Sequence, residues 1–406
     1  MVPEGWKIKS LQEIATISSG GTPSRSKPSY WENGTIPWVT TAEVNYQTII
    51  DTEQKITKEG LDNSSAKLYP KDTILMAMYG QGKTRGQVAK LGIEASTNQA
   101  CAAIQLKDNF NAGFYYQLLV SQYKRIRHLA NSGGQKNLSS TIIKEILVPT
   151  PPLPEQQKIA KILTTWDKAI DTTERLIDNS KQQKKALMQQ LLTGKKRLLD
   201  DEGKRFEGEW LTKKLVDITT RIQRKSDGND HPILTISSLS GFMTQKERYS
   251  RFMAGESLKK YVLLKNGEFA YNKGNSKTYQ FGCIFKLEDF ETGLVPNIYV
   301  CFKINNGLCE DFYKYLFEAD YLKPQLGRLV NTGVRNDGLL NIRPDEFLNT
   351  TVPVPPIDEQ QKIAAVLTNA SREIELLEQQ LADLQQEKKA LMQQLLTGKK
   401  RVVVDG

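Results

Sequence analysis

Histidine is almost absent from this chain: 406 residues hold two, His128 and His231. Neither has a cysteine, histidine or carboxylate at ligand spacing, and both read as surface side chains, so metal binding and histidine-based catalysis lack their usual residues. Cysteine is scarce too. Cys101, Cys283, Cys301 and Cys309 form no CxxC pair and sit among apolar neighbours. They read as reduced, mostly buried thiols of a cytoplasmic protein, not as a disulfide framework or a zinc site. No run of about 18 apolar residues occurs, so nothing is expected to span a membrane. The N-terminal Met-Val-Pro-Glu-Gly-Trp-Lys lacks the apolar stretch of a signal peptide.

What the chain does have is length, positive charge and a repeat. At 406 residues, 39% of them hydrophobic, it can furnish two or more cores. A net charge of +10 favours a polyanionic partner, nucleic acid before an anionic membrane. The run KKALMQQLLTGKKR at Lys184–Arg197 returns letter for letter at Lys388–Arg401. The same offset carries Val148–Ala160 onto Val352–Ala364, and Trp6, Leu11 and Ile14 onto Trp210, Leu215 and Ile218. Constant joints with variable bodies suggest one molecule touching two similar but non-identical things.

Four blocks follow from that repeat: a first body over 1–150, a proline joint and long helix over 151–199, a second body over 200–351, and a second joint and helix over 352–406. The joints, Pro149–Pro154 and Pro353–Pro356, stay extended because proline fixes φ and lacks the amide donor. Glu155 and Asp358-Glu359 place negative charge in each first turn, while Gly194 and Gly398, followed by lysines and arginine, mark each stop. Between these caps lie about 38 residues without proline or glycine, a rod of roughly 57 Å. The apolar positions Ile363, Leu367, Ile374, Leu377, Leu381, Leu384, Leu391 and Leu395 step by threes and fours, with Ala370 between and Lys388 interrupting. Ile159, Leu163, Trp166, Ile170, Ile177, Leu187 and Leu191 keep the register in the first copy, where Thr173, Ser180 and Lys184 weaken it. Such a seam needs a partner. Halves related by a pseudo-two-fold axis would pair the two rods as an antiparallel coiled coil; the alternative is a helix packed only on its own body.

The bodies read as mixed α/β, giving an α+β chain overall. Strands are expected near Thr73–Met78, Gln99–Leu106, Phe281–Leu287 and Ile298–Ile304, and helices over Ala112–Ala130 and Glu310–Val330. Phe114-Tyr115 matches Phe312-Tyr313, Asn131-Ser132-Gly133 matches Asn331-Thr332-Gly333, and Tyr79–Thr84 matches Tyr271–Thr278 with two residues inserted. Ala77–Thr84 imitates a phosphate-binding P-loop, but Gly86 and Gly92 break the helix that should follow, and no magnesium-binding aspartate ends a strand. Nucleotide binding is therefore not expected. Lysine and arginine neutralise DNA phosphates, and arginine, asparagine and glutamine pair with purine edges. On that chemistry the candidate DNA contacts in the first body are Arg25, Tyr30, Trp31, Tyr79, Gln81, Lys83, Thr84, Arg85, Gln135, Lys136 and Asn137. In the second body they are Arg221, Arg224, Lys225, Lys273, Asn275, Lys277, Arg335 and Asn336. Taken singly, each is as readily a solvated surface residue. There is no G-x-S-x-G elbow and no Asp-Pro-Pro-Tyr or Asn-Pro-Pro-Phe/Tyr motif, and Asp200-Asp201-Glu202 reads as a charged linker, so catalysis is not expected.

The order body–rod–body–rod resembles the specificity subunit of type I restriction-modification enzymes. Pro151–Ile159 and the Leu-Met-Gln-Gln-Leu-Leu-Thr-Gly-Lys tails are similar to its conserved regions. Gly21-Thr22-Pro23-Ser24, Ile36-Pro37-Trp38 and Gln135-Lys136-Asn137-Leu138 are similar to its target-recognition motifs; the second body departs, with Gly333–Asp337 in place of the last. The resemblance implies a non-catalytic, cytoplasmic prokaryotic subunit with two target-recognition domains, each reading one half of a split site in double-stranded DNA. It implies rods that set the spacing and dock two methyltransferase subunits, joined by restriction/translocase subunits. It also implies that S-adenosylmethionine, ATP and Mg are bound by those partners and none by this chain, and that no membrane is involved. Two other readings compete: an adaptor whose coiled coil organises protein partners, and a stand-alone methyltransferase or nucleotide hydrolase.

Overall fold

The computed structural model describes residues 2–80, 82–129, 137–249, 255–274, 276–330 and 340–404. It divides into two units, Met1–Glu174 with Gln379–Gly406, and Arg175–Glu378. Each unit therefore holds one body, the start of one long helix and the end of the other.

In the first unit Ala15–Ser19, Cys101–Leu106, Ile74–Ala77, Val88–Leu91 and Thr48–Ile49 lie in that order in a five-stranded sheet. Side chains alternate across a strand, and here both faces are covered. Ile74, Met76, Ala102 and Ile104 pack with Phe114 and Tyr115 of the helix Ala112–Ser121. Leu75, Ala77, Cys101 and Ala103 pack with Val39, Val44 and Ile49 on the other side. A three-stranded sheet, Gln54–Ile56, Ile36–Val39 and Ser96–Thr97, completes the body.

The second unit repeats the plan. Thr219–Ile222, Val300–Ile304, Phe269–Asn272 and Cys283–Lys286 form a four-stranded antiparallel sheet. Phe269, Tyr271, Val300 and Phe302 face the helix Glu310–Glu318, and Ala270 and Cys301 face the opposite cluster. Two strand pairs, Leu234–Ser237 with Gly241–Thr244 and Val262–Lys265 with Thr292–Val295, replace the first unit's three-stranded sheet. Burial pushes the thiols of Cys101, Cys283 and Cys301 up to about 12, so they stay protonated and unreactive.

Three expectations change. The helix anticipated over Ala112–Ala130 breaks at Gln122 into Ala112–Ser121 and Tyr123–Leu129. Its counterpart breaks into Glu310–Glu318 and Lys323–Leu329, where Asp320 takes φ +55°, a left-handed conformation no helix continues through. The match of Tyr79 to Tyr271 is also displaced. Leu106 opposes Ala15 and Ile304 opposes Thr219; two residues earlier, Ile104 opposes Ile74 and Phe302 opposes Phe269. Counting on, Met76 and not Tyr79 stands where Tyr271 stands. Tyr271 is accordingly fully buried and stacked on Phe347 at 4.3 Å, whereas Tyr79 is 43% exposed.

The long helices are Leu153–Leu191 and Ile357–Leu395, 39 residues each. Pro154 falls in a first turn, where its missing donor costs nothing. Gly194 and Gly398, at φ +69° and +72°, lie just beyond the ends. The proline joints begin as strands: Leu147–Thr150 pairs with Lys7–Ser10, and Thr351–Val354 with Leu211–Lys214, in the same register. Proline is tolerated there because each pair is two-stranded and all edge.

Every expected seam residue of both helices is buried or partly buried, and Thr173 joins them at 5% exposure. In the first unit Ile159 and Leu163 share a core with Leu395 and Leu396; in the second, Leu191 and Leu192 share one with Ile363 and Leu367. Start meets end in both, so the helices pair antiparallel, and they pair while also packing on the bodies. The two lysine interruptions, Lys184 and Lys388, are partnered, and so is the neighbouring Lys181. Lys388 bonds Asp167, Lys184 meets Glu318 at 2.7 Å, and Lys181 meets Glu378 at 2.7 Å.

Candidate nucleic-acid interface

The first unit gathers its candidate residues through strand direction. Ser19 and Ala77 end their strands where Cys101 begins its own. The loops after Ser19 and Ala77 and the turn before Cys101 therefore emerge at one end of the sheet. Thr22 Oγ1 bonds Gln99 Oε1, Met78 N donates to Ala100 O at 2.8 Å, and Leu138 N donates to Met78 O at 3.0 Å. Arg25, Trp31, Tyr79, Lys83, Thr84, Arg85 and Asn137 are thus carried by neighbouring loops. Lys83 and Asn137 are exposed, Thr84 and Arg85 partly buried. Tyr30 is different: at 4% exposure it belongs to the core, its hydroxyl accepting from Lys27 Nζ at 3.0 Å. The loop after Ala77 leads into the strand Val88–Leu91 and not a helix, so it lacks the helix N-terminus on which a P-loop seats phosphates.

Three side chains at this end escaped sequence reasoning. Gln54 accepts from Arg25 Nη2 at 2.6 Å, Gln99 anchors Thr22, and Tyr123 donates to Lys83 O at 2.6 Å while accepting from Arg127 Nη1 at 2.8 Å. Only tertiary contact reveals them; no motif marks a glutamine or tyrosine for such a task. Glycine at position 20 has a steric cause. A Cβ there would stand 2.0 Å from Thr97 O, so only glycine lets the chain pass so close.

In the second unit the corresponding loops follow Ile222 and Asn272, and Leu340 N donates to Lys273 O at 3.1 Å, as Leu138 does to Met78. Arg221, Lys225 and Lys277 are exposed and Lys273 is partly buried. Arg224 does not join them. Its Nη1 and Nη2 meet Glu268 Oε2 and Oε1 at 3.2 and 3.0 Å, and Nη1 also meets Leu263 O at 3.0 Å. Glu268 precedes the strand Phe269–Asn272 and Lys273 follows it, so the Arg224 guanidinium and Lys273 lie at opposite ends of that strand. A buried carboxylate needs its cation, and Arg224 serves Glu268. Gln81, Gln135, Lys136, Asn275, Arg335 and Asn336 lie outside the described residues.

His231 also departs from a free surface side chain. Its Nε2 lies 2.8 Å from Asp227 Oδ1 and its Nδ1 2.9 Å from Thr292 Oγ1, and its side chain is 11% exposed. Among the described residues no group of three or more histidine, cysteine, aspartate or glutamate side chains is placed to hold a metal ion.

The duplicated letters acquire a purpose at the joints. Arg197 Nε and Nη2 meet Glu359 Oε1 and Oε2 at 2.6 and 2.7 Å, and Trp210 Nε1 donates to the same carboxylate at 2.9 Å. In the first unit Arg401 grips Glu155 through Nε at 2.9 Å and through Nη2, and Trp6 Nε1 donates to Glu155 at 3.3 Å. Gln156 and Gln360 each accept from the backbone amide ahead of the body's helix, Asn111 N and Cys309 N, at 2.9 Å. Each clasp ties the end of one long helix to the start of the other and to its body's tryptophan. The family model for the type I restriction modification DNA specificity domain matches residues 3–181 and again residues 208–386. The chain belongs to this family.

Within the specificity-domain family, two curated relatives come from Methanocaldococcus jannaschii. The type I restriction enzyme MjaIX specificity subunit is 31% identical over 193 residues, 46% of this chain and 42% of that one. This chain thus spans less than half of that relative. The MjaVIII specificity subunit is 25% identical over 427 aligned residues, covering 99% of this chain and 94% of the relative. A crystal structure of a type I restriction-modification S subunit from M. genitalium shares the fold at TM-score 0.60 and 14% identity, covering 97% of this chain and 96% of that one. The architecture is α+β: two mixed bodies and two long antiparallel-paired helices. No helix among the described residues is long and apolar enough to cross a membrane.

Proposed function

We propose that this chain is the DNA-reading subunit of a type I restriction-modification complex, each unit recognising one half of a bipartite site in duplex DNA. The observation that carries the reading is the gathering of Arg25, Tyr79, Lys83 and Asn137 on neighbouring loops at one end of the first unit's sheet, in a chain whose family domain occurs twice. A net charge of +10 supports a polyanionic partner. In this scheme the loops contact phosphates and base edges, and the paired helices fix the separation of the half-sites. Two modules held on one spacer bind more tightly than either alone, because engaging one raises the effective concentration of the other.

The chain performs no chemistry in this proposal. Two methyltransferase subunits dock on the helices, and restriction/translocase subunits join them in the cytoplasm of a prokaryote. S-adenosylmethionine, ATP and Mg belong to those partners, which would turn the target base out of the duplex to modify it.

Titrating the full chain, with its host's methyltransferase subunits, against duplex DNA at several salt concentrations tests the reading. Affinity should fall steeply as salt rises, by about a thousandfold between 50 and 200 mM if six or more phosphates are contacted. Protein partners bound without any salt-dependent affinity for DNA would favour the adaptor reading.

A further inference from the structure

Arg25 is exposed, yet it is not a mobile surface cation. Its guanidinium lies 3.6 Å from the ring centroid of Trp31 and 5.0 Å from that of Trp38, and those two indoles meet edge to face at 5.0 Å. Nη2 donates to Gln54 Oε1 at 2.6 Å, and Gln54 stands directly across from Trp38 in the strand pair. The loop beneath is pinned as well. Trp38 Nε1 donates to Gly21 O at 3.0 Å, Trp31 Nε1 donates to Ser24 O at 3.1 Å, and Thr22 bonds Gln99. Stacking fixes the guanidinium plane, and the Gln54 bond fixes rotation within it.

A phosphate does not require a fork held in one plane: its oxygens accept from many directions, and a lysine can also meet it as a point charge. Such constraint suits a base edge, where a planar fork must lie in the plane of guanine O6 and N7. Gln54 takes one of five N–H donors, and the remaining ones have no acceptor among the described residues. No carboxylate among the described residues pairs with Arg25 either, in contrast to Arg224, which Glu268 occupies.

Resting on the DNA-reading proposal above, we infer that Arg25 reads a guanine in the first half-site through its guanidinium fork. Trp31, Trp38 and Gln54 are positioning residues that hold that fork flat.

The test is selection from a randomised duplex pool by the full chain together with its host's methyltransferase subunits. The unaltered chain should enrich a two-part motif. Arg25→Ala should make one G·C position of one half degenerate, with discrimination there falling about ten- to a hundredfold, and leave the other half intact. Arg25→Lys, which keeps the charge, should relax the same position, and Gln54→Ala should relax it less. If Arg25→Ala unfolds the body, the lysine and Gln54 variants carry the test. An intact motif with all duplexes weakened alike, restored by lysine, would mean a phosphate contact and overturn the inference. No change in binding or motif would overturn it too. An unaltered chain that enriches no motif would instead overturn the DNA-reading proposal itself.

Discussion

Glu155 and Glu359 are the residues on which the repeat turns, and their surroundings differ in one measurable way. Both carboxylates are buried, but Arg197, the partner of Glu359, is 18% exposed, while Arg401, the partner of Glu155, is 43% exposed. Removing one member of a buried pair strands the other's charge, at a cost of about 3–5 kcal/mol, whereas solvent screens a half-exposed pair. Glu359→Ala should therefore destabilise its unit by about 3 kcal/mol or more, and Glu155→Ala by clearly less. Chemical denaturation of the two variants checks the order; equal losses would contradict it. Asp320 supplies a pH-dependent case. Burial pushes its carboxyl up to about 6 from an ordinary 3.8, with Lys323 only partly opposing. A folded-state value above the unfolded one means that folding favours the proton. The stability this contributes is whole below about pH 4 and is lost as pH rises through 6. Asp320→Asn removes that dependence and suits the left-handed backbone at φ +55°. Its melting temperature should exceed that of the unaltered chain at pH 7.5 and match it near pH 4. Equal melting temperatures at both values would refute the argument.

At the scale of elements, the long helices carry a prediction about length. The unit boundary cuts them after Glu174 and after Glu378. Four residues inserted at both points leave each unit's internal pairings, such as Arg197 with Glu359 and Lys388 with Asp167, as they are. Each helix gains about 6 Å. If the helices act as a ruler, the spacer between half-sites should change by about one or two base pairs while both half-sites keep their sequences, as read by methylome sequencing of the host. An unchanged spacer would show that length is not read by the helices. These helices were legible in the sequence because threefold and fourfold steps, first-turn acids and a terminal glycine all point one way. Four strands fell within two residues of expectation, since runs such as Ile74–Ala77 are apolar on both faces. The helix break at Gln122 was not legible, because no proline or glycine marks it; the break at Asp320 was, because Pro324, which cannot bond back to the Asp320 carbonyl, falls inside the anticipated helix. The candidate site was legible only as residue types. Arg224 and Glu268 are 44 positions apart, and nothing local marks either as the other's partner. The register that separates Tyr79 from Tyr271 likewise depends on which strand each faces.

At the scale of the whole molecule, the division of labour between constant joints and variable bodies makes exchange of a body the decisive manipulation. Several of the groups that dock a body on the joint recur in both units. In the first unit Trp6 meets Phe114 edge to face at 6.4 Å, and Trp210 meets Phe312 in the same way at 6.2 Å; Phe114 and Tyr115 meet at 5.1 Å, Phe312 and Tyr313 at 5.2 Å. Gln156 and Gln360 cap equivalent amides. What differs includes contacts to the long helices, Gln117 with Asp167 in one unit and Tyr315 with Thr368 in the other, and the sheets beyond: a three-stranded sheet carrying the Arg25 loop in one unit, two strand pairs in the other. A foreign body that brings its own tryptophan and Phe-Tyr pair should thus seat on Glu155 and Gln156 without disturbing the second unit. Replacing residues 1–150 by the first body of another family member should change one half of the recognised site and leave the other half and the spacer as they were. Methylation mapping reads all three at once. A change in both halves would mean that the units do not read independently, and that the joints transmit more than position.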